Sequence, residues 1–181
     1  MGVSWVVRAL SIVVVSVPTN LARAEVTGID GRDIASVFAI SKSENRNLVD
    51  YGIHADRQCR PVGAAPIYAY WRMYEHHGET EPLLDIEQRI YGLVSDQSIA
   101  ASDEGSVVRA TVRSMPNRPI EFVLWATPHG CRARARMHVL GSDAWLDRIF
   151  VRVAWPFGID SVSVFGERVT DGLPVQEKIH P

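Results

Sequence analysis

Alternation of apolar and polar residues is the dominant signal along this chain, and it is cleanest at CRARARMH (131–138). Cys131, Ala133, Ala135 and Met137 form one set; Arg132, Arg134, Arg136 and His138 form the other. A period of two belongs to a strand with one face on a core and the other toward water. Two neighbours repeat it. Val107 to Met115 sets Val108, Ala110 and Val112 against Arg109, Thr111 and Arg113. Ile120 to Thr127 sets Ile120, Phe122, Leu124 and Ala126 against Glu121, Val123, Trp125 and Thr127. A one-residue slip exchanges the faces of a strand, so only registers that keep the apolar sets together are allowed. A two-residue turn at His129-Gly130 does this, with Leu124 opposite Ala135 and Trp125 opposite Arg134. Across 116–119 the same rule puts Val112 against Leu124 and Ala110 against Ala126. Arg109, Arg113, Arg132, Arg134 and Arg136 are then expected around Trp125 on one face of a three-stranded meander.

The rest of the chain reads mostly as strands too. Val37 to Lys42 and Leu48 to His54 are β-branched and aromatic runs around Asn45 and Asn47, which tolerate turn conformations, so they predict a hairpin. Pro66 to Tyr74 (PIYAYWRMY) is the most aromatic segment and predicts a strand covered on both faces. Thr80 to Gly92 (TEPLLDIEQRIYG) predicts an α-helix over about 81–91. Thr80 would cap it, Pro82 falls in its first turn, Leu83, Ile86 and Ile90 recur at helical spacing, and Gly92 stops it. Residues 95–106 are a polar connection, and Ser142 to Leu146 predicts a single helical turn. Ile149 to Trp155 and Val162 to Gly166 predict strands around a Pro156-Phe157-Gly158 turn, and Asp171-Gly172 a hairpin before a last strand near Val175 to Ile179. About nine short strands with brief connections favour an antiparallel barrel or sandwich, and the pattern leaves both open.

Residues 1–24 have a different texture. Arg8 precedes the apolar run Ala9 to Val17, and Leu21-Ala22-Arg23-Ala24 supplies small residues where a signal peptidase reads. This predicts a secretory signal, too short to span a bilayer, followed by one domain over 25–181 in the periplasm or outside the cell. Without Arg8 and Arg23 the 19 basic residues become 17 against 21 acidic ones, a net of −4. That disfavours a nucleic-acid partner, which needs a basic surplus. Two cysteines in an exported chain, Cys59 and Cys131, predict a disulfide.

The chemistry on offer is sparse. No GxSxG, HExxH, GxGxxG or P-loop pattern occurs. Adjacent His76 and His77, with Glu75 and Glu79, make no recognised metal spacing, so neither metal nor cofactor is expected. The arginine face is the main candidate. Arg forks match carboxylate and phosphate geometry, and the fields of Arg109, Arg113, Arg132, Arg134 and Arg136 are expected to add around Trp125 as an anion site. The competing view is a solvated sheet face with an ordinary cation–π contact. Lys42 with Asn45 and Asn47 could serve proton transfer, but no partner is apparent in the sequence.

Three stretches taken together resemble a known family: Ile40 to Tyr51 (ISKSENRNLVDY), Pro66 to Arg72 (PIYAYWR) and Leu84 to Gly92 (LDIEQRIYG), with a tail containing Gly166, Gly172 and Glu177. In that order they are similar to the bacterial exported proteins of domain-of-unknown-function family 4833. The resemblance implies a secreted or periplasmic domain and brings no activity or catalytic residue. The expected function is a ligand-binding or interaction module, its partner a small molecule or envelope component, and an anion if the arginine face is the site. The alternative is a cell-envelope enzyme using Lys42, His76 or Glu87.

Overall fold

The computed structural model describes residues 33–42, 45–94, 97–102, 105–154 and 158–180. The expected signal segment, and the Pro156-Phe157 part of the expected turn, lie outside them. Strand β1 (Asp33–Lys42), β2 (Leu48–His54), β3 (Ile67–Met73) and β4 (Glu79–Pro82) form one antiparallel arm. After a short helix, α1 (Asp85–Gln88), a second antiparallel arm follows: β5 (Ser98–Ser102), β6 (Gly105–Ala110), β7 (Ile120–Thr127) and β8 (Gly130–Val139). Strand β9 (Ser142–Ala154) joins the arms. Its first part pairs antiparallel with β8, Trp145 opposite Arg136, and its second part pairs parallel with β1, Ile149 opposite Ile40. β10 (Gly158–Arg168) runs along the other edge of β9, and β11 (Pro174–Ile179) pairs with β10.

The result is one mixed sheet, in the order β4-β3-β2-β1-β9-β8-β7-β6-β5, that is folded over but not closed. Both arms hang from the same edge of β9, and their apolar faces share one core. Phe38 of β1 stacks on Tyr51 of β2 at 4.5 Å and meets Phe122 of β7 at 5.7 Å. Two polar links tie the first arm to the intervening chain. The buried Tyr51 hydroxyl donates to the Tyr91 carbonyl at 2.6 Å, and the Gln97 side chain bonds both the N–H and the carbonyl of Ile67. Burial pushes the Tyr51 hydroxyl well above its ordinary pKa, with the proximity of Tyr91 a second cause. The expected disulfide is present. Cys59, in the loop after β2, joins Cys131 at the start of β8 with Cα atoms 5.3 Å apart, so it pins one arm to the other.

Several expectations change. The predicted helix over 81–91 shrinks to Asp85–Gln88, and its start is an edge strand, Thr80 lying opposite Arg72 and Glu81 opposite Trp71. A helix is held by packing its apolar stripe, and here Leu84, Ile86 and Ile90 are exposed while only Leu83 and Tyr91 are buried. Pro82 is tolerated because an edge strand need not use its N–H. Ser142 to Leu146 is not a helical turn but the start of β9, with Ala144 and Leu146 inward and Trp145 outward; five residues are too few for periodicity to decide. The polar connection holds an exposed strand, β5.

The meander keeps its predicted faces but not its predicted register. The turn residues are Pro128-His129, so Trp125 faces Arg132 and Leu124 faces Ala133. Gly130 opens β8 at φ +123°, a backbone angle that suits glycine. β6 ends at Ala110, which puts Ala110 opposite Ile120 and Val108 opposite Phe122. Both shifts are even in number, and an even shift preserves which side chains share a face.

Candidate functional site

The β1–β2 hairpin builds the floor plan of a pocket. The Asn45 side-chain carbonyl accepts the Asn47 N–H at 3.2 Å, fixing the turn. Asn47 is itself buried and clamps Glu75. Its Nδ2 donates to Glu75 Oε2 at 3.3 Å while its Oδ1 accepts the Glu75 N–H at 3.2 Å. This locks the hairpin to the 3-10 turn Tyr74–His76 that follows β3. Lys42, the last residue of β1, holds its Nζ 5.4 Å from the centroid of the Trp71 ring. The chain then returns through β4 and α1, where the Glu87 carboxylate accepts the Leu84 N–H at 2.9 Å.

Between these parts lies a cavity of about 200 Å³. Its walls are Lys42, Asn45 and Asn47 from the hairpin, Trp71 and Met73 from β3, and Glu81, Leu84 and Glu87 from the returning chain. Trp71 is only 6% exposed and packs edge-on against Tyr91 at 5.8 Å. Its indole N–H is sealed from solvent and has no acceptor among the described residues. Leaving such a donor unmatched costs roughly 1–3 kcal/mol. The sequence had already singled out Lys42, Asn45, Asn47 and Glu87. What it could not supply was the fold that brings Trp71 and Glu81 beside them. His76 lies in the 3-10 turn, exposed and outside these walls.

A second polar group sits on the outer face of β1–β3, and no sequence signal pointed to it. Asp50 is 1% exposed on a face that normally meets water. It accepts hydrogen bonds from Ser36 Oγ at 2.9 Å and Arg72 Nε at 2.5 Å, and Arg72 Nη2 donates to Tyr70 Oη at 3.0 Å. Tyr68 stacks on His54 at 4.4 Å and lies over Gly52, where any Cβ would come within 2.5 Å of its ring. The bond to Asp50 raises the Arg72 pKa, and burial, then the Asp50 charge, raise that of Tyr70. The charged and hydroxyl groups of this cluster are mutually bonded, which marks it as structural. Another cavity, of about 340 Å³, is lined by Arg118, His138, Leu140 and Glu177. There Arg118 forms a two-pronged pair with Glu177, holding the Glu177 carboxyl below its ordinary pKa.

The arginine face is partly assembled. Arg109 on β6 and Arg132, Arg134 and Arg136 on β8 share the outer face of the second arm, whereas Arg113 falls in the exposed turn after β6. The aromatic partner of Arg134 and Arg136 is Trp145 of β9, at 4.8 and 5.6 Å; Trp125 lies opposite Arg132 instead. Acids are threaded among the cations. Glu121 bonds Arg109 at 2.5 Å and Arg136 at 2.9 Å, and Glu167 lies 3.8 Å from Arg134. Burial works to raise the Glu121 pKa, but the bonds from Arg109 and Arg136 outweigh it and hold the carboxyl low. Glu121 was legible, since the alternation of β7 puts it on the side of Trp125. Trp145 was hidden by the helical reading of its segment.

A folded-over, mainly β sheet, pinned by one disulfide and carrying a small polar pocket beside its first hairpin, defines the class of protein. No helix among the described residues is long and apolar enough to cross a membrane, and no cluster of three His, Cys, Asp or Glu there could hold a metal ion. The model of the family described as Domain of unknown function (DUF4833) matches residues 38–178, and the chain belongs to that family. Neither a curated protein nor a solved structure matches it.

Proposed function

We propose that this is an exported ligand-binding module of the periplasm or cell exterior, with its ligand in the pocket walled by Lys42, Asn45, Trp71, Glu81 and Glu87. The observation that carries this reading is the meeting of Lys42, Asn45, Glu81 and Glu87 with Trp71 around one cavity. Convergence of a few polar groups on a small cavity with an aromatic wall is the usual form of a small-molecule site. Export is supported by the leader-like pattern of residues 1–24 and by the Cys59–Cys131 bridge, which suits an oxidising compartment. Mass spectrometry of small molecules released from natively purified protein tests this. A compound carried by the wild type and lost from Lys42→Ala supports the pocket; identical cargo in both counts against it.

Two other readings each have an observation behind them. Lys42 and Glu87 share one cavity, which keeps a cell-envelope enzyme in view; turnover of the released compound by the wild type would favour it over binding alone. Arg134 and Arg136 flanking Trp145, near Arg132 and Trp125, suit a carboxylate or phosphate, although Glu121 and Glu167 already offset part of that charge. Salt-sensitive binding that survives Lys42→Ala and is lost in Arg134→Ala would move the site to that face.

A further inference from the structure

A second cavity, where the β6–β7 connection, the β8–β9 hairpin and β11 meet, has no part in the reading above. We infer that it takes a neutral saccharide unit. Its volume of about 340 Å³ falls within the usual range for small-molecule sites. The full charges on its walls, Arg118 and Glu177, cancel. The guanidinium donates through both Nη atoms to the carboxylate, which also accepts the Leu140 N–H at 3.4 Å. An anionic ligand would press its charge on Glu177, and a cationic one on Arg118. A purely apolar ligand would strip water from the pair and return no hydrogen bond. Hydroxyl groups both donate and accept, and a guanidinium and a carboxylate together have more donors and acceptors than this pairing uses. Beside the pair are the Asn117 amide and His138, whose Nδ1 lies 3.1 Å from Asp143 Oδ1. In the neutral ring that carboxylate holds the proton on Nδ1 and leaves Nε2 as an acceptor. Planar groups with donors and acceptors side by side match adjacent hydroxyls on a sugar ring. Pro119, Met137 and Leu140 supply an apolar wall for its C–H face. Leu140 adds an independent sign. It is 69% exposed at the hairpin tip with φ +48°, followed by Gly141 at φ +83°. Such a turn needs positive φ at both positions, where Asn or Gly fits and a bulky side chain is strained. Strain of this kind collects at ligand clamps, and Leu140 stands on the cavity wall.

The test is saturation-transfer NMR titration of the wild-type protein with glucose, galactose and N-acetylglucosamine, with glucuronate and glucosamine as charged counterparts. At least one neutral sugar should bind with a Kd of about 1 mM or below, and both charged sugars more weakly. Asn117→Ala and His138→Ala, both at exposed positions, should each weaken that binding about three- to tenfold, the worth of one neutral hydrogen bond. Leu140→Asn should weaken it too while raising the melting temperature by about 2–4 °C, because strain is relieved as the contact is lost. No such binding by any neutral sugar, or charged sugars bound as tightly, overturns the proposal. So does binding that Asn117→Ala and His138→Ala leave unchanged; its loss in Lys42→Met instead would place the sugar beside the first hairpin.

Discussion

The two arms of the sheet both carry charge outside the core, and they use it in opposite ways. On the first arm a single carboxylate, Asp50, is sealed beneath Tyr70 and Arg72 and bonded on both oxygens. On the second arm a row of arginines lies in partial solvent with Glu121 and Glu167 set among them. A desolvated pair is costly to break because the survivor is left uncompensated, whereas half-exposed pairs are screened and individually weak. The first arm also ends in the pocket, where Lys42, Trp71 and Glu81 meet Glu87. The arginine face has more charge, and Glu121 and Glu167 already offset part of it. Convergence of polar groups on a cavity, rather than the number of charges, distinguishes a candidate site from a solvated surface.

That contrast can be broken at the joint between the arms first. Cys59→Ala with Cys131→Ala removes a bridge closing a separation of 72 residues, and should cost about 4 kcal/mol in chemical denaturation. A loss under about 1 kcal/mol would mean the shared core alone holds the arms together. Asp50→Ala comes next, at about 3 kcal/mol, the low end for a buried pair because Arg72 keeps some solvent contact. A change as small as a surface mutation would erase the difference between the two arms.

On the second arm the effects should be smaller and dependent on pH. The folded-state pKa of Glu121 on β7 is lowered, as is that of Glu177 on β11, so the contribution of each is full above the ordinary value of 4.5 and fades as pH falls below it. Glu121→Gln should therefore cost about 1 kcal/mol at neutral pH and close to nothing in acid. A penalty that is constant from pH 7 down to pH 3 would show that packing, not charge, is what Glu121 supplies. The smallest effect belongs to Arg134→Ala. It loses a cation–π contact with Trp145 and a long pair with Glu167, about 0.5 kcal/mol in thermal melting. A loss above about 2 kcal/mol would put Arg134 among the buried pairs and collapse the distinction between the arms.

Local patterning determined the mainly β class, the hairpin around Asn45 and Asn47, the shared face of Arg109, Arg132, Arg134 and Arg136, and the pairing of Cys59 with Cys131. Period-two alternation is a property of neighbouring residues and survives even shifts in register, which is why the faces were legible although Trp125 sits opposite Arg132 rather than Arg134. Tertiary structure alone decided the rest. The parallel pairing of β1 with β9 joins residues over a hundred positions apart, as Ile40 and Ile149 show, and no local pattern encodes it. Packing overruled helical spacing at Leu84, Ile86 and Ile90 because no element covers them. The burial of Asp50 and the meeting of Lys42, Trp71, Glu81 and Glu87 around one cavity arise only when four strands and a returning segment are in place. Burial and unmet hydrogen bonds are properties of the assembled sheet, not of any stretch of chain.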